Sequence, residues 1–180
     1  MSQLQMIWPK ENLNEPPDFV LPAGYLLRTY ENGDKDAYVK LMRNAGFDSW
    51  GIEEFNETLK VALPNGLFFV VHDKSGDLVA TTVAQHAPSE LHPFGGSLGW
   101  VAGSKEHSGK GLGYVVCAAV TKRLLDAGYE DIYLLTDDFR LPAIKTYLKL
   151  GWTPLLHEDD MSERWGIVLD NLKWPDTIQS

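Results

Sequence analysis

This 180-residue sequence has one cysteine, no long apolar run and fewer basic than acidic residues. Its single cysteine, Cys117, allows no disulfide within the chain, which favours a reducing compartment such as the cytoplasm. No apolar run approaches the roughly 20 residues that span a bilayer, and no secretory signal is evident, so we expect no membrane association. The net charge of −9 argues against a nucleic acid partner, which would call for a basic face.

The apolar fraction of 44% is sufficient for an ordinary core, and a chain of this length usually forms one domain. Residues 1–24 contain four prolines and no clear hydrophobic period, which predicts an irregular N-terminal extension. The domain itself is predicted over residues 25–174, and residues 175–180 are predicted to form a C-terminal tail. The oligomeric state does not follow from the sequence, and a homodimer is left open.

Hydrophobic spacing predicts an alternation of strands and helices along the domain. The first strand is followed by two helices and then by three strands, of which the first two form a hairpin. A helix, a strand and another helix come next, and two strands around an acidic loop end the domain. The predicted strands cover residues 25–30, 67–71, 78–85, 98–102, 132–136, 152–156 and 165–169.

A glycine-rich stretch lies between a predicted strand and a predicted helix. It runs Ser108-Gly109-Lys110-Gly111-Leu112-Gly113 and is followed by apolar residues at helical spacing. A helix N-terminus has unpaired N–H donors and a partial positive charge, which suit the oxygens of a diphosphate. Glycines also serve in plain turns, so this stretch alone does not distinguish a phosphate site from a turn.

Three phosphate-binding patterns compete for these glycines. A P-loop needs Lys and then Ser or Thr after its last glycine, but Tyr114 and Val115 follow Gly113. The dinucleotide fingerprint needs a third Gly or Ala where Tyr114 stands. The stretch closely resembles the coenzyme A loop of the GNAT (Gcn5-related N-acetyltransferase) superfamily, with Gly111 and Gly113 at its glycine positions. Ser108 stands where that family usually has Arg or Gln.

A second segment, residues 137–152, resembles the same superfamily. Ala143, Tyr147 and the pair Gly151-Trp152 match the family's second cofactor segment, and Arg140 stands at the usual Asn position. The predicted order of strands and helices over about residues 25–170 also resembles that of the GNAT fold. The resemblance implies a mixed α/β (α+β) acyl-CoA N-acyltransferase fold. Its sheet would be mostly antiparallel with a V-shaped splay, and helices would cover both faces.

The resemblance also implies acetyl-CoA as co-substrate. The pantetheine arm would pair with the strand before the glycine loop, and the diphosphate would lie on the loop's backbone N–H groups. Tyr147 would protonate the departing thiolate as general acid. The implied cofactor-binding residues are Val101, Ala102, Gly103, Ser108, Gly109, Lys110, Gly111, Leu112, Gly113, Tyr114, Arg140 and Ala143.

The sequence marks the acceptor site and the general base less clearly. His86 ends the third predicted strand near the expected cleft, and imidazole titrates near neutrality, so His86 is a candidate base. The acidic run at residues 157–160 lacks the spacing of a metal site, and no metal is expected. The candidate walls of an acceptor pocket are Trp50, Phe55, Trp100 and Trp165.

These observations predict an N-acetyltransferase that moves an acetyl group from acetyl-CoA to a primary amine by direct attack in a ternary complex. The acceptor would be a small molecule or a peptide, and the negative charge of the chain favours a cationic one. One alternative is a non-catalytic acyl-CoA-binding or sensing module, which would need no acid at Tyr147. Another is a nucleotide-binding protein that uses the same loop.

Overall fold

Strands and helices alternate through the computed structural model, which describes residues 2–175. The strands are β1 (Leu4–Ile7), β2 (Tyr25–Thr29), β3 (Ala62–His72), β4 (Leu78–His86), β5 (Gly96–Gly103), β6 (Ile132–Thr136) and β7 (Thr153–Leu155). The helices are α1 (Lys35–Asn44), α2 (Ile52–Val61), α3 (Leu112–Asp126), α4 (Leu141–Leu150) and α5 (Met161–Leu172). All seven strands form one sheet in the order β2-β3-β4-β5-β6-β1-β7.

Neighbouring strands of the sheet run antiparallel, except β5 and β6, which run parallel. One apolar layer joins α1 and α2 to one face of the sheet, where Tyr38, Phe55 and Phe69 pack together. A second layer joins α3, α4 and α5 to the other face. The predicted fold class, a mostly antiparallel mixed sheet with helices on both faces, is confirmed. Within residues 2–175, the helices are too short or too polar to cross a membrane.

The N-terminal segment differs from the irregular extension that the prolines predict. Leu4–Ile7 form β1, which pairs with β6 on one side and with β7 on the other. Leu4 and Met6 are fully buried, whereas Gln5 and Ile7 are half-buried, which is the period-two pattern of a strand. The alternation covers only four residues, which is too short to indicate a strand by itself. The prolines that follow it therefore predict an irregular segment. Of the predicted tail, residues 176–180 lie outside the described part of the chain.

The burial of β1 can be tested at Leu4, whose side chain is 0% exposed. We expect Leu4→Ala to lower the free energy of unfolding by about 2–5 kcal/mol, because it removes buried methyl groups and leaves a cavity. The control is Leu26→Ala, the same substitution at a side chain of β2 that is 56% exposed. Denaturant unfolding should show a much smaller change for the control, and equal changes would contradict the burial of β1 between β6 and β7.

Two local predictions were also wrong. Residues 165–169 lie inside α5 instead of a strand, because the buried Met161, Trp165 and Leu169 recur at helical spacing. The strand predicted over residues 67–71 begins earlier, at Ala62, so the turn-like sequence Pro64-Asn65-Gly66 lies within β3. The pairing of β3 with β4 is irregular there, and Asn65 takes a φ of 54°.

Candidate active site

The sheet opens where β5 and β6 separate. The two strands are paired only as far as Leu98 and Leu134, and β5 continues to Gly103. Among the described strands, none pairs with the β6-facing edge of β5 beyond that point. Unpaired backbone N–H and C=O groups on such an edge can bond to a ligand. This opening is the V-shaped splay that the sequence resemblance implies.

A β-bulge turns β5 at the start of the opening. Between two pairs with β4, the strand takes three residue steps, from Gly99 to Ala102, where β4 takes two. Trp100, in the bulge, has a φ of 53°, which is uncommon for a bulky residue. The buried hydroxyl of Thr82 donates a hydrogen bond of 2.7 Å to the Gly99 carbonyl and holds the bulge in place. Bulges re-aim backbone groups and occur often beside active sites.

A cavity of about 280 Å³ lies in the opening between the two strands. Its walls combine three elements that are distant in sequence but meet where β5 and β6 separate. The bulge of β5 contributes Trp100 and Val101, and the end of β6 contributes Thr136. Arg140, directly before α4, and Tyr147, within α4, complete the third wall. The cavity therefore brings the predicted acid Tyr147 together with the predicted cofactor strand.

The glycine-rich loop leads from β5 into α3. Gly109 and Gly111 have φ values of 74° and 76°, which glycine adopts without steric cost. A Cβ atom built on Gly109, Gly111 or Gly113 would meet no heavy atom within 4 Å, so the loop faces open space. The first turn of α3 contains no acidic side chain that would occupy its N–H donors. An open, positively polarised helix start fits the diphosphate of coenzyme A.

Lys110 is tied to the body of the protein beside this loop. Its Nζ donates a hydrogen bond of 3.0 Å to the hydroxyl of Tyr25 and lies 5.7 Å from the centroid of that ring. The same hydroxyl lies 2.8 Å from Nδ1 of His107. Ser108, at the usual Arg or Gln position, is exposed. The loop therefore offers its backbone donors together with one positive charge that is held in position.

Tyr147 is 4% exposed and lies on the buried face of α4. Burial raises the pKa of its hydroxyl, the neighbouring Cys117 thiol adds to the rise, and Arg140 opposes it. The phenol therefore keeps its proton at neutral pH and can act as a donor. Cys117 is fully buried, which also raises the pKa of its thiol, and it is a core residue as the sequence indicates.

Arg140 lines the cavity and contacts the connection between α1 and α2. Its guanidinium carbon lies 4.7 Å from the ring centroid of Phe47, in the connection between α1 and α2. Its Nε lies 3.3 Å from Oδ2 of Asp137, but this buried N–H makes no hydrogen bond to the described residues. Arg140 thus joins the two sides of the opening and keeps a donor for a ligand.

The loop between β6 and α4 is fixed by α5. Arg164 donates hydrogen bonds of 2.6 and 3.0 Å to the Asp138 carboxylate, and another of 3.1 Å to the Ser2 carbonyl. The hydrogen bond from Arg164 is the main cause that lowers the pKa of Asp138. The neighbouring Asp137 and Arg140 therefore extend from a well-anchored loop.

Several predicted acceptor residues lie away from the cavity. His86 lines a separate depression near the end of α3, and Trp165 is fully buried in the layer below α5. Trp50 and Phe55 are core residues of the α1–α2 layer. Trp100 does line the cavity, and its ring centroid lies 4.4 Å from that of Trp50, which supports it from behind.

Comparisons with known proteins agree with this fold. A model of the acetyltransferase (GNAT) family matches residues 35–152. The chain belongs to this family. Among solved structures of similar fold, a GCN5-related N-acetyltransferase from Sphaerobacter thermophilus has a TM-score of 0.67 at 20% identity, covering 85% of this chain and 48% of that one. A tandem GNAT protein from the clavulanic acid biosynthesis pathway has a TM-score of 0.64 at 19% identity, covering 85% and 50%.

Curated relatives of the chain include mycothiol acetyltransferases. The protein from Nocardia farcinica is 29% identical over 147 residues, which cover 77% of this chain and 48% of the relative. The one from an Arthrobacter species is 31% identical over 150 residues, which cover 77% and 46%. The chain thus spans about half the length of these relatives. Together with the family match, they support the place of this chain in the acetyltransferase (GNAT) family.

Sequence reasoning missed five polar residues of the cavity: Gln3, Gln85, Ser97, Thr136 and Asp137. Gln3 belongs to the segment predicted to be irregular, and Gln85 matches no motif. Asp137 lies inside the segment that resembles the GNAT family, directly after β6, and an acid at that strand end was a usable signal. Within residues 2–175, no group of three or more His, Cys, Asp or Glu side chains could hold a metal ion.

Proposed function

We propose that this GNAT protein transfers the acetyl group of acetyl-CoA to a primary amine, by direct attack of the amine in a ternary complex. The observation that carries the proposal is that the bulged edge of β5 and the protonated Tyr147 line one cavity. The open glycine loop follows the same strand toward α3.

Acetyl-CoA, when bound, supplies an acetyl thioester. The backbone of residues 101–103, on the unpaired edge of β5, would bond to the amides of the pantetheine arm. The backbone N–H groups of residues 109–114 would bind the diphosphate, with Lys110 adding its charge. Arg140 has a buried N–H that is unused among the described residues, and it would contact the cofactor beside Ala143.

Two groups of the protein would lower the barrier. Backbone N–H donors at the bulge of β5 would stabilise the negative charge that develops on the carbonyl oxygen, as in other acyl transfers. Tyr147 would give its proton to the sulfur as the C–S bond breaks. A phenol with a raised pKa suits this step, because it still holds its proton when the thiolate departs.

The identity of the acceptor, the cellular compartment and the oligomeric state also belong to the proposal. The names of the relatives make mycothiol-related amines sensible first acceptors to try, beside other small amines and peptides. A single, fully buried thiol supports the cytoplasm as compartment. A homodimer can be checked by sedimentation of the same preparation.

The proposal is tested by incubating the protein with acetyl-CoA and a panel of amines, and by following the release of free thiol. We expect amine-dependent release. Tight CoA binding with no release on any amine would instead favour an acyl-CoA-binding module. Displacement of bound CoA by ATP or NAD would favour a nucleotide-binding protein.

A further inference from the structure

Two side chains of the cavity have a buried oxygen atom without a partner among the described residues. Thr136 is 2% exposed, and its Oγ1 makes no hydrogen bond to the described residues; the same is true of Oε1 of Gln85. Both side chains line the cavity. A buried polar atom without a partner costs about 1–3 kcal/mol, so such atoms usually have a partner in the working state. Their position in the cavity makes a bound ligand the natural partner.

A glycine leaves room for the carboxamide of Gln85 beside the bulge. A Cβ atom on Gly99 would lie 2.7 Å from Nε2 and 3.1 Å from Cδ of Gln85, so a larger residue there would force the Gln85 side chain to move. Gly99 therefore lets the Gln85 side chain lie against the backbone of β5 at the point where the strands separate. A group bonded to Gln85 would lie next to the bulge, where the acetyl group is expected.

Asp137 adds a carboxylate to the same cavity. Its Oδ1 accepts a hydrogen bond of 3.0 Å from Nε2 of Gln3, and its Oδ2 lies 3.3 Å from Nε of Arg140. The other ionisable residues of the lining are Arg140 and Tyr147. Arginine does not lose its proton in proteins, and Tyr147 keeps its proton because burial raises its pKa. Within the described lining, Asp137 is the one carboxylate, and carboxylates serve as general bases in enzymes.

We propose that Gln85, Thr136 and Asp137 form the subsite for the acceptor's ammonium group, and that Asp137 takes the proton whose loss frees the amine to attack. This inference rests on the proposed function. A protonated primary amine has three N–H donors, and these side chains present three kinds of oxygen acceptor. An amine held by them would face the bulge of β5.

The proton balance of the reaction is consistent with these roles. The ammonium nitrogen loses two protons as it forms the amide bond and the C–S bond breaks. One proton passes through Asp137 to solvent. The second balances the proton that Tyr147 gives to the sulfur. The products are the acetylated amine, the free thiol and one proton.

A pair of amines of similar shape tests the role of Asp137. Benzylamine is protonated at neutral pH, whereas aniline is not. We expect Asp137→Asn to lower kcat/KM for benzylamine by about a hundredfold or more, the usual scale for a positioned base. The loss for aniline should be much smaller, because aniline needs no deprotonation before attack. Thr136→Val should raise the KM for benzylamine by about tenfold, with KM for acetyl-CoA unchanged.

The matched control is Glu130→Gln, which removes one negative charge in the separate depression beside His86. It should leave the kinetics with both amines unchanged. Calorimetry of benzylamine binding to the CoA-loaded protein gives a readout that does not need turnover, and Asp137→Asn should weaken that binding.

Equal losses on both amines in Asp137→Asn, or unchanged benzylamine binding, would overturn the subsite. The proposed function would survive that result as long as the wild type acetylates amines. Conversely, a wild type that releases no thiol with any amine would remove the proposed function, and the calorimetry would then test the ammonium site alone.

Discussion

Tyr147→Phe should lower kcat by about a hundredfold or more, while CoA binding and stability change little. The substitution removes only the hydroxyl of a side chain that is buried in α4 and lines the cavity. Because burial raises the pKa of this phenol, the wild-type group is protonated and ready to donate. A thiolate can also depart without a proton to some extent, so some activity should remain.

The measurement is single-turnover thiol release, in which chemistry and not product release limits the rate. Tyr129→Phe is the matched control, since it removes a tyrosine hydroxyl that lies 2.9 Å from His86 and outside the cavity. The control should keep its rate and its CoA affinity. Near-normal turnover in Tyr147→Phe under these conditions would exclude Tyr147 as the general acid.

The structure of the two segments that resemble the GNAT family was predictable because their signals are local. Gly109 and Gly111 adopt backbone conformations that favour glycine, and the apolar spacing after Gly113 sets the buried face of α3. The helix α4 was predictable for the same reason, since it begins near Pro142 and ends at Gly151 with a φ of 107°. Each of these features depends on residues within a few positions of one another.

Strand pairing is not local, and there the prediction failed. Leu4–Ile7 pair with residues near the other end of the chain, so no neighbouring residue signals their place between β6 and β7. Residues 165–169 alternate too briefly to distinguish a strand from a helix, and only the spacing from Met161 onward identifies α5. This error affects the candidate site, because Gln3, directly before β1, donates a hydrogen bond to Asp137.

The proposed acceptor site shows how one position along a strand changes the outcome. Gln85 and His86 are adjacent in β4, and successive side chains of a strand point to opposite faces. Gln85 lines the cavity, whereas His86 contacts Tyr129 beyond α3. Choosing by chemical type favoured the imidazole, but the pairing of β4 with β5 decides which side chain reaches the opening.

Gly113→Val should weaken CoA binding by about tenfold to a hundredfold, roughly 1.4–2.8 kcal/mol, with the fold retained. Gly113 lies in the first turn of α3 without a positive φ, and a Cβ atom there would meet no heavy atom within 4 Å. A branched side chain would therefore enter the open space that the diphosphate needs, without straining the protein. Gly111 is a poorer test, because its φ of 76° would add backbone strain to the effect.

Gly166→Val is the matched control for this prediction. Gly166 also lies in a helix, α5, without a positive φ and with no heavy atom within 4 Å of a built Cβ. Both substitutions exchange a helical glycine for the same residue, so they should change the unfolding midpoint to a similar extent. Calorimetry with CoA should show weakened binding for Gly113→Val alone. Equal affinities in the two variants would mean that the diphosphate does not lie on the first turn of α3, and the cofactor assignment would then have to move off the glycine loop.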